Sequence, residues 1–258
     1  MNEFAALADR LRARGCEWGG AVHHAIETES TNDDARAAAK EGAPAGSVWI
    51  ADYQTKGRGR QGREWHAPDS ENLLFSVLLR PGVLVKKMPP ITLAVGVGVL
   101  RALSEAIESN ELAIKWPNDI VMRDDLRKVA GILVESSVAA SIVETLVVGI
   151  GINVNQLDFP ESIRARATSI ANVAGHAFDR SALLASVLAH VETCVKVAFR
   201  LGFSALHEEI ERADALLGRT TANGSIAGVA RGISQGGALI VETPSGLVEI
   251  GSGEIDVR

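Results

Sequence analysis

Gly57-Arg58-Gly59-Arg60-Gln61-Gly62-Arg63 follows the run Ser47-Val48-Trp49-Ile50-Ala51-Asp52-Tyr53-Gln54, and the reading of this junction decides the fold. The run reads as a β-strand, apolar and polar by turns. The glycines match G-x-G-x-x-G, the dinucleotide-binding fingerprint, which would imply a doubly wound parallel sheet. That pattern needs a helix directly after it and an acid about 20 residues on. Here the chain continues Glu64-Trp65-His66-Ala67-Pro68-Asp69, which offers no apolar helical face, and Ser76 to Val85 contains no acid. The dinucleotide reading is set aside. What remains is three permanent cations on glycine-rich backbone. Glycine permits close approach and positive φ, and each guanidinium presents a planar fork of donors to carboxylate or phosphate. The stretch reads as an anion-gripping loop. Residues 57 to 66 are expected to stay mobile until a ligand compensates the mutually repelling arginines.

At 258 residues, with 47% hydrophobic and 22% charged residues, the chain has the composition of a soluble globular protein. Its length suits one main domain and a smaller one. A net charge of −6 argues against non-specific nucleic-acid binding. Cys16 and Cys194 fit no metal or redox spacing, which points to a reducing, cytoplasmic setting. With no secretory leader and no apolar run of about 18 residues, neither export nor a membrane span is expected.

Outward from the loop, Glu3 to Arg14 has Phe4, Leu7 and Leu11 at helical spacing, and Val22 to Thr28 reads as a strand. Ser30-Thr31-Asn32-Asp33-Asp34 then opens an alanine-rich helix to Lys40. Thr31 reads as its N-cap, with Asp34 completing part of a capping box; the same short polar side chains could equally face a ligand. Leu73 to Leu79 is a strand, Pro90 to Ile107 a buried helix, and Leu112 to Trp116 a strand ended by Pro117. Asn118-Asp119 forms a turn before Ile120-Val121-Met122. Strands are expected at Arg127 to Glu135 and Ile142 to Asn153, and helices at Arg180 to Arg200 and Phe203 to Ala213. Beyond Leu217 the hairpin signals Asn223-Gly224, Gln235-Gly236-Gly237 and Pro244-Ser245-Gly246 imply a small all-β barrel. The expected domains are 1–214 and 215–258.

Several side chains could carry chemistry. Lys128 is the lone charge on the face shared with Ala130, Ile132 and Val134, beside Gly131, where backbone could approach a ligand; a solvated strand entrance is the plainer reading. Asn118 and Asp119 could hold a nucleotide or a metal, or simply turn the chain. Trp65 could pack over a ligand. Asn153 ends an apolar strand, uncrowded by the glycines before it.

Taken in order, Ser30-Thr31-Asn32, Asp52-Tyr53-Gln54, Gly57 to Trp65, Lys115-Trp116-Pro117-Asn118-Asp119, Lys128 to Glu135 and Gly149-Ile150-Gly151-Ile152-Asn153 resemble the motifs of bacterial biotin protein ligases. The tail from Gly232 to Glu254 is similar to their SH3-like C-terminal domain. Gln61 and Ser70 depart from the family's usual basic residue and glycine. Regulatory members carry a helix-turn-helix domain that residues 1 to 29 leave no room for, so a biotin-responsive repressor is not expected.

The resemblance implies an α+β fold, a mixed sheet backed by helices as in class II synthetases and lipoate ligases, with the β-barrel appended. It implies an ATP- and Mg²⁺-dependent ligase that makes biotinyl-5′-AMP and transfers biotin to a lysine of a carboxylase carrier domain. Neither nucleic acid nor membrane is an expected partner. By motif, Ser30, Thr31, Asn32, Gln54, Gly57, Arg58, Gly59, Arg60, Lys128 and Gly131 would bind biotin. Arg58, Arg60, Arg63, Trp65, Asn118, Lys128 and Asn153 would bind ATP, and Asp119 the metal. Lys128 and Arg60 would be catalytic. A lipoate ligase shares the catalytic fold; the dense arginine loop ahead of Lys128-Val129-Ala130-Gly131 favours biotin.

Overall fold

The computed structural model describes residues 3–68, 70–88 and 90–257. In chain order the elements are α1 (Leu7–Ala13), β1 (Val22–Thr28), α2 (Thr31–Lys40), β2 (Val48–Gln54), β3 (Leu73–Leu79), β4 (Val83–Leu84), α3 (Ile91–Ala106), β5 (Leu112–Lys115), β6 (Asp119–Met122), β7 (Lys128–Ala139) and β8 (Ile142–Ile152). There follow α4 (Glu161–Arg164), α5 (Ile170–Ala174), α6 (Arg180–Leu201), α7 (Ser204–Ala213), β9 (Thr220–Asn223), β10 (Ile226–Ile233), β11 (Leu239–Thr243), β12 (Gly246–Ile250) and β13 (Asp256–Val257).

The fold is mixed α+β. The main sheet runs β1-β2-β3-β8-β7-β6-β5, with β4 paired to β8. Only β1 and β2 are parallel, joined by the crossover through α2, while the other pairs are antiparallel. The five C-terminal strands form a separate antiparallel sheet, β12-β11-β10-β9-β13. Strand alternation sorts side chains between two faces. Leu73, Phe75, Val77 and Leu79 of β3, with Leu146, Val148, Ile150 and Ile152 of β8, join the large core under α3 and α6. Leu78 and Val147 point the other way and pack with Trp49 and Ala35 beneath α2.

Helix α6 is long and apolar enough to span a membrane, yet its apolar residues Leu184, Val187, Leu188 and Val191 are buried in the protein core. Its buried Arg180 is held by the Asn72 carbonyl at 2.9 Å and Asp52 at 3.1 Å. The β7–β8 hairpin is longer than its sequence suggests. Its turn uses Ala140 and Ser141, both at positive φ (49° and 66°), where glycine or asparagine would be the usual signal.

The two sheets are tied at the edge of the site. The Trp116 indole donates to the Gly237 carbonyl at 2.9 Å, and Ala215, in the segment leading from α7 to β9, donates its N–H to the Ile114 carbonyl at 2.9 Å.

Candidate functional site

The site lies on the sheet face opposite α3 and α6, between α2 and the glycine-arginine loop. In β8 the even residues enter the core, so Gly149 and Gly151 face the site. A Cβ at Gly149 would collide with the Asn32 side chain, and one at Gly151 would stand 2.6 Å from the Trp65 ring. Gly131, paired with Gly151 across β7 and β8, would meet the same ring at 2.9 Å. The Gly-Ile-Gly-Ile pattern thus supplies core on one face and room on the other. Gly149→Ala should displace Asn32 and weaken binding of biotin, the ligand the sequence resemblance implies, by about tenfold or more, the scale of a ~1.4 kcal/mol loss. Calorimetric titration with biotin checks it.

At one end the side chains form a closed polar network. The Thr31 N–H donates to Gln54 Oε1 at 2.7 Å, with the Thr31 hydroxyl at 3.1 Å. Ser76 Oγ lies 2.8 Å from Thr31 Oγ1 and 2.6 Å from Asn32 Oδ1. Asn32 Nδ2 donates to Glu135 Oε2 at 2.7 Å. Thr31 is therefore not the N-cap: it is the first helical residue, Ser30 precedes the helix without a side-chain cap, and Asp34 takes the Thr28 hydroxyl instead. Gln54 supplies the acceptor that a capping box would have supplied. Ser76 and Glu135 carry no role in the sequence reading. A lone hydroxyl within Leu73-Leu74-Phe75-Ser76-Val77-Leu78-Leu79 was the available signal, since a buried hydroxyl needs a partner.

The loop's arginines are not left to repel one another. Arg58 holds Asp33 with two hydrogen bonds of 2.6 and 2.7 Å, Arg63 pairs with Glu254 of the C-terminal sheet region, and Arg60 donates to Asn118 Oδ1 at 3.3 Å and the Gly253 carbonyl at 3.2 Å. Internal carboxylates take the place of the expected ligand anions for two of the three. The loop folds back on itself: Gly59 N–H bonds Arg63 O at 2.7 Å and Trp65 N–H bonds Gly57 O at 2.9 Å. Gln61 and Ser70, the two departures from the family pattern, both sit at positive φ (57° and 58°).

The hydrogen bonds from Arg58 hold the Asp33 carboxyl below its usual range, against the opposing effect of burial. A depressed carboxylate contributes above its unclasped pKa of about 3.9 and is lost as pH falls through the lowered value. The clasp is therefore intact at neutral pH and opens only in acid. With both partners about a third exposed, the pair is worth roughly 0.5–1 kcal/mol, a two- to fivefold effect on loop opening. Asp33→Asn should raise the rate of tryptic cleavage after Arg60 and Arg63 by about that factor, and an unchanged rate would deny the clasp its role.

Around this frame are two adjoining clefts. The first, about 500 Å³, is lined by Ser30, Thr31, Asn32, Gln54, Arg58, Gly59, Arg60 and Gly131 among others. The second, about 1650 Å³ and open to solvent, is lined by Arg63, Asp119, Asn153 and Arg166 among others. Trp65, Asn118 and Lys128 line both. Lys128 Nζ stands 2.8 Å from Asp119 Oδ1 and 5.1 Å over the Trp65 ring. Lys128 is thus aimed into the site rather than solvated at a strand entrance. Gly57 lines neither cleft. Asn153 lines the second, but its amide is spent on the Lys128 and Thr168 carbonyls at 3.3 and 3.0 Å, fixing the segment beside Lys128. Asn118 Nδ2 likewise donates to Ile132 O at 3.0 Å, leaving Oδ1 to Arg60. Among the described residues no three His, Cys, Asp or Glu side chains cluster as a metal cage.

Residues 25–153, which include the glycine floor, the polar end and the loop arginines of this cleft, match the Biotin/lipoate A/B protein ligase family. Residues 218–258 match the Biotin protein ligase C terminal domain. The biotin--[acetyl-CoA-carboxylase] ligase of Mycobacterium tuberculosis is 32% identical, covering 97% of this chain and 93% of its own. The bifunctional ligase/repressor BirA of Bacillus subtilis is 35% identical over 92% of this chain and 73% of its own. The biotin protein ligase from Aquifex aeolicus, solved in complex with biotin and ATP, superposes with a TM-score of 0.80 at 33% identity, covering 93% of this chain and 99% of that one. The chain belongs to the biotin protein ligase family.

Proposed function

We propose that this chain activates biotin with ATP and transfers it to a lysine of a biotin carboxyl carrier domain of an acyl-CoA carboxylase. The observation that carries this is the meeting of two clefts at Lys128, Trp65 and Asn118: one small with a polar end, the other wide. Biotin's ring system suits the first, its ureido group meeting Ser30, Thr31, Asn32 and Gln54, with Arg58, Gly59 and Gly131 shaping the walls. The nucleotide suits the second, beside Trp65, Asn118, Arg63 and the segment held by Asn153.

The first half-reaction joins a carboxylate oxygen to the α-phosphorus and expels pyrophosphate. Its main obstacle is repulsion between anions, and preorganised cations are the remedy. Arg58 and Arg63 have carboxylate partners, whereas Arg60 is bonded only to neutral oxygens. Arg60 therefore brings its full charge to the junction. Lys128, steered by Asp119 and the indole face, sits where the two reacting groups meet. Arg58 acts mainly as the clasp that closes the loop.

Mg²⁺ fits as an ion that enters on the ATP phosphates, the usual arrangement where one or two carboxylates suffice. Asp119, which lines the second cleft, would be the carboxylate to hold it, and the ion would supply neutralisation of phosphate charge. Residues 1–214 form the catalytic domain in this proposal and 215–258 the appended one. Cys16 and Cys194 are buried and free, and burial pushes their thiols up to about 12 and about 11, in keeping with a cytoplasmic enzyme.

The test is purified protein with ATP, Mg²⁺ and either biotin or lipoate, read by mass spectrometry. Biotinyl-adenylate is expected. Lipoyl-adenylate alone would move the chain to the lipoate branch.

A further inference from the structure

A third cleft, of about 810 Å³, opens between the two sheets. It meets the first cleft at Arg60, Asn118, Ile132 and Leu133, and neither biotin nor the nucleotide occupies it in the arrangement above. Pro90, Leu93, Trp116 and Pro117 form its apolar side, and Gly236 and Ser252 its far wall. Among the described residues that line it, Arg60 is the only charged side chain, and there is no carboxylate. The other charges at the junction are already matched: Lys128 with Asp119 at 2.8 Å, and Arg58 with Asp33 at 2.6 Å.

An ammonium ion would be poorly placed in such a cleft. An apolar wall disfavours the charged form of an amine, and no carboxylate in the lining is there to offset that. A neutral primary amine on an aliphatic stem suits both features. Given the two-step ligase reading above, we infer that this cleft admits the acceptor lysine of the carrier domain and delivers it as the free amine. The amine nitrogen then bonds to the acyl carbon of the mixed anhydride. The acyl C–O bond breaks with its electron pair going to AMP, and the released N–H proton passes to phosphate or water. The cleft reaches the junction from between the sheets, so the acceptor arrives without displacing the nucleotide.

Two substitutions outside the biotin and nucleotide clefts test this. Thr92 lines the third cleft in the first turn of α3, where an acid is tolerated by the helix dipole. Thr92→Glu supplies the missing carboxylate and should favour the ammonium form. Ser252→Trp, at an exposed position, should obstruct the opening.

Three rates are measured: adenylate formation, discharge of the adenylate by hydroxylamine, and transfer to an isolated carrier domain across a pH series. Hydroxylamine is small and already uncharged at neutral pH, so it needs neither the channel nor its environment. For Thr92→Glu, carrier transfer at neutral pH should fall about tenfold, the effect of a one-unit rise in amine pKa, and recover at alkaline pH. For Ser252→Trp it should fall at every pH. Both variants should form adenylate and discharge it to hydroxylamine within about twofold of the native rates. Carrier transfer by Ser252→Trp at the native rate, or a loss in Thr92→Glu that ignores pH, would overturn the inference. If Thr92→Glu does not fold, Ser252→Trp decides. Absence of adenylate from the native protein would instead remove the ligase reading itself.

Discussion

Lys128→Ala should slow biotinyl-5′-AMP formation by about 10²-fold or more, the usual cost of deleting one donor aimed at developing charge. Two contacts place the side chain for that work, Nζ standing 2.8 Å from Asp119 Oδ1 and 5.1 Å over the Trp65 ring, and Lys128 borders both clefts. Removing it does more than delete a cation, since Asp119 also loses its ammonium partner. The cost to folding should be small. Both side chains are about a quarter to a third exposed, and pairs of that kind contribute up to about 1 kcal/mol. Pyrophosphate release in a single turnover, alongside a thermal melt, separates the two effects. A folded variant that releases pyrophosphate at near-native rate would return Lys128 to the role of an ordinary solvated lysine.

The site was legible in the sequence where one side chain's surroundings are set by local pattern. Period-two alternation from Ile142 to Asn153 sends Val148, Ile150 and Ile152 to the core, so the glycines between them had to face something that needed space. The pattern could not say that Asn32 and Trp65 fill it, because those partners come from α2 and the loop. The arginines illustrate the same limit. Arg58 meets Asp33 across 25 positions, and Arg63 meets Glu254 across 191, so the loop alone could not show that two of its three charges find carboxylate partners once the chain is folded. Thr31 failed for a related reason. Its cap was local and available, yet Gln54 on the neighbouring strand offered a better acceptor to the same N–H. The Ala140–Ser141 turn carried no signal, since neither residue favours the positive φ it adopts.

Arg60→Gly should separate the two half-reactions. Arg60 is the one loop arginine that donates only to neutral oxygens, Asn118 Oδ1 and the Gly253 carbonyl, so its charge is free to hold the adenylate. Those same two bonds bridge the loop to the start of β6 and to the C-terminal sheet region, and glycine loses both while loosening the backbone. A charge-assisted hydrogen bond contributes roughly 1.5–3 kcal/mol, or on the order of 10- to 150-fold in retention of a bound anion. The variant keeps Lys128, so the adenylate should still form. It should then escape, to be hydrolysed in water or to acylate lysines on bystander proteins without regard to sequence. The measurement is a streptavidin blot of a carrier domain mixed with an unrelated protein, native enzyme alongside, together with the amount of free biotinyl-adenylate in the filtrate. Labelling confined to the carrier domain at native selectivity, with no adenylate in the filtrate, would mean that Arg60 does not hold the intermediate. The task would then pass to the clasped arginines, and Arg58→Gly would become the variant that leaks.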